Sequence, residues 1–311
     1  RNPPAPLRAP GSAYSPDQAC LTFVRRQSTM RAARFHGQKN ITIDEIPETG
    51  LRPGAVEIEV AWCGICGSDL HEYLEGPIFI PPPGHPHPLS GEELPVTMGH
   101  EFSGTVSALG EGVTDLTVGE GVVVEPYFTC GECDMCRADK YHLCRSMGFI
   151  GLSGGGGGLS EKVVVDRRRV HPVGDVPLDQ AALIEPLSVG HHAYVRSGAR
   201  AGDVAFECSS VNAVLDALVD AVKPGGVVVN VSIWGKRATI DMMKIVLKEI
   251  DLRGTIAYVN DHAEVIRLVQ EGKIDLAPFI TARIDLADLL DEGLDTLINR
   301  NDTAVKILVH P

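Results

Sequence analysis

Four cysteines, Cys130, Cys133, Cys136 and Cys144, fall together in the run CGECDMCRADKYHLC. At C-x2-C-x2-C-x7-C spacing, four thiolates can close a tetrahedral shell around zinc with no open position, which makes the site structural. An iron–sulfur cluster is the competing reading, because cluster loops also use C-x2-C-x2-C. Glu132, Asp134, Arg137 and Lys140 mark this loop as exposed. A second constellation joins CGICGSDLH to a later GHE. Cys66, His100 and Glu101 supply one thiolate, one imidazole and one carboxylate, a set that leaves zinc an open position for catalysis. Such a metal acts as a Lewis acid on an alcohol or carbonyl oxygen. Glu185 lies in the otherwise apolar stretch LIEPL and is a further ligand for the zinc or its water. Cys63 forms a C-x-x-C with Cys66, a pairing that alone could be redox or metal-binding.

These residues sit in a chain of 311 residues, a length that suggests two domains. The net charge of −13 argues against nucleic acid or an anionic membrane as partner, since either wants a basic face. No apolar run reaches the roughly 18 residues of a membrane span. Eight cysteines, half of them in one short loop, suggest thiolate ligands in a reducing compartment, hence a cytoplasmic protein. Residues 1–29 have a different composition, with four arginines and one acid, and are expected to be a disordered extension before Met30; an organelle transit peptide is the alternative. Cys20 lies in that extension and has no assigned role.

From Met30 the pattern is strand-rich. MRAARFHG and ITIDEIPE read as a hairpin, AVEIEVAWCG alternates with period two, and GTVSALG and GVVVEPY follow, as in a small β-barrel. Residues 76–95 carry many prolines and must be a loop. SGGGGGLSEKVVVD invites a dinucleotide reading, but Gly154–Gly158 lead into a strand and not a helix, so a flexible loop is expected. Helical periodicity begins at Leu178 and returns in VNAVLDALVDAV, where Val211, Val214, Leu215, Leu218, Val219 and Val222 make one stripe. GVVVNVSI, IDMMKIVLKEI, DLRGTIAY and HAEVIRLVQEG then alternate strand and helix, which predicts a parallel sheet. ITARIDL and AVKILVH read as closing strands.

MRAARFHG, CGICGSDLHEYLEGPIFIP, LPVTMGHEFSG, CGECDMC, LIEPLSVGHHA and AVKILVHP together resemble the zinc-dependent medium-chain alcohol dehydrogenase family, nearest its butanediol dehydrogenase-like branch, close to sorbitol dehydrogenase. The resemblance covers Met30 to Pro311 apart from one gap. It implies α+β and α/β architecture: a GroES-like β-barrel catalytic domain at 30–182, completed by 283–311, and a Rossmann-type coenzyme domain at 183–282. By resemblance, Cys66, His100 and Glu101 or Glu185 share the catalytic zinc, Ser68 and His71 relay the alcohol proton, and Asp69 orients a ligand. Cys63 matches a non-ligand position and reads as a small core residue. His85 and His87, set among prolines, read as structural. The implied substrate is a small alcohol, polyol or vicinal diol, with NAD or NADP as cofactor and a homo-oligomeric assembly.

The gap falls between Asp203 and Val204, in SGARAGDVAFECSS. In the family a turn like GARAGD leads into the first Rossmann strand and its G-x-G-x-x-G; here it runs into a segment like the fourth strand. At about 30 residues per βαβ unit, about 60–80 residues are missing. The phosphate-binding helix N-terminus and the ribose carboxylate would go with them, and VAFEC would become an exposed edge. By resemblance Cys208, Ser209, Ser232 and Ile233 flank the nicotinamide; they could touch a cofactor but hardly hold one. Three readings follow: an incomplete version of a working dehydrogenase, a zinc-stabilised binding or scaffold protein, or a coenzyme-free zinc hydrolase.

Overall fold

The structure, a computed structural model, describes residues 28–198 and 203–311. The expected extension, with Cys20, lies outside the described residues except for Ser28 and Thr29. Those two belong to the fold: Thr29 opens the first strand, and Ser28 Oγ donates to Glu48 at 2.6 Å.

The period-two patterns become strands. β1 (Thr29–Gly37) and β2 (Asn40–Pro47) form the antiparallel hairpin. β3 (Ala55–Gly64) runs directly into α1 (Gly67–Glu75). The proline-rich loop then returns to β4 (Val96–Thr97), which pairs with β1. β5 (Glu101–Leu109) and β6 (Gly121–Val124) follow. β7 (Tyr127–Phe128) and β8 (Gly148–Phe149) pair across the base of the cysteine loop, which contains the single-turn α2 (Asp134–Arg137). β9 (Lys162–Asp166) and β10 (Val170–Pro172) complete this half.

The predicted helix from Leu178 is two helices, α3 (Leu178–Ala181) and α4 (Ile184–Ser197). Pro186 explains the break. It has no N–H to offer the carbonyl of Ala182, so it fits only the first turn of a new helix, where that donor is not needed.

β11 (Val204–Glu207), α5 (Asn212–Ala221), β12 (Val227–Asn230), α6 (Met242–Lys248), β13 (Asp251–Gly254) and α7 (His262–Gln270) form a three-stranded parallel unit in the order β11-β12-β13. The chain then returns to the first half through β14 (Ile280–Asp285), α8 (Asp295–Asn299) and β15 (Lys306–His310). β15 pairs antiparallel with β3, setting Leu308 opposite Gly64, and completes a sheet ordered β10-β6-β5-β3-β15-β14 with β9 also on β3. The largest apolar core lies inside this half, around Phe35, Ile58, Phe102 and Ile307.

One expectation is corrected. The Gly154–Gly158 loop does lead into strand β9, but it is packed and not open. A Cβ on Gly155 would lie 2.1 Å from the Phe128 ring, and one on Gly157 would lie 2.3 Å from the Met98 carbonyl oxygen. The α5 stripe is covered only in part: Leu215, Val219 and Val222 are buried, while Val211 and Val214 are exposed. The reason is the sheet beneath it, which ends at β11 with Phe206 39% exposed. Among the described residues no parallel strand leads into a glycine-rich loop that opens a helix. β11 runs into Cys208–Ser209–Ser210, β12 into Val231–Ser232–Ile233 and β13 into Thr255–Ile256–Ala257. No helix among the described residues is long and apolar enough to cross a membrane.

Candidate active site

Cys66 caps the N-terminus of α1, and the Asp69 carboxylate fixes that turn by accepting the Cys66 N–H at 2.9 Å. His100 and Glu101 stand at the entry to β5, where Glu101 is paired with Gly64 of β3. Gly64 lies close against this side chain: a Cβ there would lie 2.3 Å from the Glu101 carboxylate. One donor atom from each of Cys66, His100 and Glu101 falls within 4.8 Å of the others. Asp69 is buried, and its free oxygen lies 3.5 Å from His100 Nδ1. Neither of those two buried atoms has a hydrogen-bond partner. Burial works against a charged His100 imidazole, but the negative Asp69 and Cys66 side chains outweigh it and raise its proton affinity. A half-buried thiol, a buried imidazole and a buried carboxylate in one cluster that attracts positive charge fit a zinc ion.

Glu185 sits in the first turn of α4, buried and facing the same cleft, with the Tyr258 phenol beside it. Burial pushes its pKa up to about 7. Glu185 stands outside the three-residue donor cluster. Ser68 Oγ lies 3.1 Å from His100 Nε2, and His71, half-buried one turn further along α1, lines the cleft with it.

The cleft has a volume of about 700 Å³ and brings the two halves of the chain together. On the far wall, at the carboxyl ends of the parallel strands, are Cys208, Ser209, Ser232 and Ile233. That is where ligands bind in open parallel sheets. Ser209 and Ser232 are already committed, because both hydroxyls donate to the buried Glu207 carboxylate. This wall can face a flat ring. Among the described residues it has no glycine loop or helix N-terminus of the kind that holds a dinucleotide's diphosphate, so those residues fit only part of such a cofactor.

The four loop cysteines cluster separately. Their sulfurs lie within 4.8 Å of one another, with Cys130 to Cys144 at 3.5 Å and Cys130 to Cys136 at 3.9 Å. Zinc–sulfur bonds of about 2.3 Å place tetrahedral sulfurs about 3.8 Å apart, so the shell fits a single ion. Backbone N–H groups point at the sulfurs, and those of Cys136 and Arg145 hold the Cys133 pKa at about 6. Cys63 is buried in the core and outside both clusters. His87 packs on Phe128, 6.1 Å between ring centroids, and His85 is exposed; neither joins a donor cluster among the described residues.

Two residues of the cleft were not singled out from the sequence. Lys306 Nζ lies 2.5 Å from Glu101 Oε2 and 3.2 Å from the Ile65 carbonyl. Its signal was a lysine opening an apolar terminal strand. Glu72 is fully buried on α1 and binds the backbone of residues 78–80. A second acid in GSDLHEYLE was its only trace.

Comparison with known proteins agrees with this geometry. Residues 52–175 match the alcohol dehydrogenase GroES-like domain, and residues 193–271 match the zinc-binding dehydrogenase family. (R,R)-butanediol dehydrogenase of Neisseria gonorrhoeae is 51% identical, with 91% of this chain and 99% of that protein aligned. That alignment runs over 352 residues against the 311 of this chain, so the relative has positions without a counterpart here. The crystal structure of 2R,3R-butanediol dehydrogenase from Bacillus subtilis superposes with a TM-score of 0.84 at 38% identity, covering 91% of this chain and 99% of that one. A Sinorhizobium meliloti protein of the zinc-binding dehydrogenase type, solved bound to NADP, superposes at 0.78 with 25% identity, covering 92% and 100%.

Proposed function

We infer the reaction from the family to which this chain belongs, that of the zinc-dependent medium-chain alcohol dehydrogenases. The chain is a zinc-dependent oxidoreductase of alcohols. We propose that its substrate is a vicinal diol such as 2,3-butanediol, oxidised to the hydroxyketone with NAD(P) of the family type as acceptor. The zinc domain is taken as 30–182 with 283–311, and the coenzyme domain as 183–282. The observation that carries the reading is the Cys66–His100–Glu101 cluster on a cleft closed by the carboxyl ends of a parallel sheet.

Cys66 and His100 would hold the catalytic zinc, with Glu101 or Glu185 as the carboxylate. The bound metal supplies Lewis acidity that lowers the pKa of the substrate hydroxyl. The protein's own residues do the rest. Asp69 holds the His100 ring and the Cys66 turn. Ser68 takes the hydroxyl proton and His71 passes it to solvent, a relay suited to a hydroxyl followed by an imidazole. Cys130, Cys133, Cys136 and Cys144 hold a structural zinc. Cys208, Ser209, Ser232 and Ile233 would face the nicotinamide end of a bound cofactor, and among the described residues none cradles its diphosphate. The alternative of a zinc-stabilised binding protein draws only on that missing cradle. The exposed apolar side chains Met242, Met243, Val246 and Leu247 around α6 favour a homo-oligomer.

The test is oxidation of 2,3-butanediol by zinc-loaded protein, followed by reduced nicotinamide absorbance. Cys66→Ala should abolish turnover while leaving the structural zinc in place. Full activity in Cys66→Ala would overturn the assignment.

A further inference from the structure

We propose that Glu72 is a positioning residue that shapes the alcohol end of the cleft, and that the wall it builds selects a short diol with apolar ends over a polyol. This rests on the diol oxidoreductase reading above.

The carboxylate of Glu72 accepts three consecutive backbone N–H groups. Ile78 donates at 2.8 Å to one oxygen; Phe79 at 2.5 Å and Ile80 at 3.2 Å donate to the other. Residues 76–80 lie in neither helix nor strand, so these amides depend on a side chain for their partners. The turn closes tightly over that side chain. Gly76 N–H donates to the Glu72 carbonyl at 2.9 Å, and a Cβ on Gly76 would lie 2.5 Å from the Glu72 carboxylate. Ile80, 1% exposed, anchors the far side of the turn in the core.

The consequence is the placement of the two side chains in between. Ile78 and Phe79 line the cleft that holds Cys66, His100 and Glu101. Phe79 meets Phe149 edge-on, 6.5 Å between ring centroids, and Leu152 continues the wall. The cleft therefore offers a substrate polar groups from Ser68 and His71 and an apolar surface from Ile78, Phe79, Phe149 and Leu152. A hydroxyl forced against such a surface loses its hydrogen-bond partners and is disfavoured there. A four-carbon diol presents methyl ends there, whereas a six-carbon polyol presents hydroxyls.

Glu72→Gln is the first test. Its amide oxygen can accept at most two of the three N–H groups, and its NH2 faces the third. In zinc-loaded protein, hydrogen exchange at Ile78, Phe79 and Ile80 should speed up about tenfold or more, with exchange in the β-sheet unchanged. KM for 2,3-butanediol should rise about tenfold with kcat within about twofold, and preference over sorbitol should fall by a similar factor. Ile78→Ser leaves the Glu72 bonds intact and should also narrow the preference. Unchanged exchange in Glu72→Gln overturns the positioning role. Faster exchange with unchanged selectivity overturns the shape argument. Should Glu72→Gln fail to fold, Ile78→Ser decides: an unaltered preference sinks the proposal. A wild-type chain without turnover counts against the diol oxidoreductase reading and not against this one. The exchange arm still stands, and selectivity is then read as protection of Cys66 from iodoacetamide by butanediol but not by sorbitol; equal protection overturns it.

Discussion

Lys306 Nζ and Glu101 Oε2 lie 2.5 Å apart, a pair formed between β15 and β5 across the intervening β3. Glu101 is almost wholly buried, so its charge has two possible partners: the lysine or a metal. Removing one member of a buried pair typically costs about 3–5 kcal/mol. Lys306→Met should therefore destabilise the zinc-free protein by a few kcal/mol and the zinc-loaded protein by clearly less. Urea midpoints with and without zinc measure the difference. Equal losses in both states would show that Glu101 does not reach the metal.

The cysteine lobe predicts a separable loss. Cys136→Ser removes one of the four sulfurs that cluster in this loop. Bound zinc should fall by about half, and protease sites within 130–144 should open while the Cys66 site stays loaded. Metal analysis and limited proteolysis check this. Retention of the full zinc content would remove this loop from the list of metal sites.

Both clusters of candidate donors, apart from Glu185, were legible in the sequence because their signals are local. Four cysteines within one loop need no knowledge of the fold, and Cys66 with His100–Glu101 needs only two short motifs. Lys306 was not legible, since its meeting with Glu101 depends on the register of β15 against β3. Glu72 was hidden for a similar reason: its partners are backbone N–H groups, which leave no mark in a sequence. The Gly154–Gly158 loop was rightly placed before a strand, but its packing depends on Phe128 and Met98, which reach it only in three dimensions. The split of α3 from α4 was available in Pro186, and the apolar periodicity on either side of it masked the break.

Acid should loosen the junction between the two halves. His262 is buried with neither ring nitrogen hydrogen-bonded, stacked on His171 and edge-on to Tyr258. Burial holds its pKa at about 3 despite nearby Glu125 and Asp261, with His171 and Arg169 acting in the same direction as burial. The unfolded histidine takes up its proton near pH 6.5. This contribution is thus complete above about pH 6.5 and is lost as pH falls toward 3. Glu125 adds a lower step. Burial would raise its pKa, but His171, His262, Arg169 and Tyr141 hold it at about 2, so its share is lost below about pH 4.3. His262→Phe keeps the ring packing and removes the proton site. Urea midpoints between pH 7 and pH 4 should fall less steeply than in wild type, with any zinc loss common to both. Parallel slopes would contradict the assignment.

The last prediction concerns how much of a cofactor this chain can grip. β11 is the edge of a three-stranded sheet, and its exit turn, Cys208–Ser209–Ser210, is held down by Glu207. Among the described residues no helix N-terminus lies beyond that edge to take a diphosphate, so the adenosine half should find few partners. Reduced dinucleotide should then bind no more than about tenfold tighter than reduced nicotinamide mononucleotide, since tenfold corresponds to about 1.4 kcal/mol of extra contact. Adenosine diphosphate should fail to displace either one. Fluorescence titration of zinc-loaded protein with the two reduced forms reads this directly. A preference above about a hundredfold for the dinucleotide, or competition by adenosine diphosphate, would mean that a diphosphate cradle forms at the β11 edge by other means, such as a second copy of the chain.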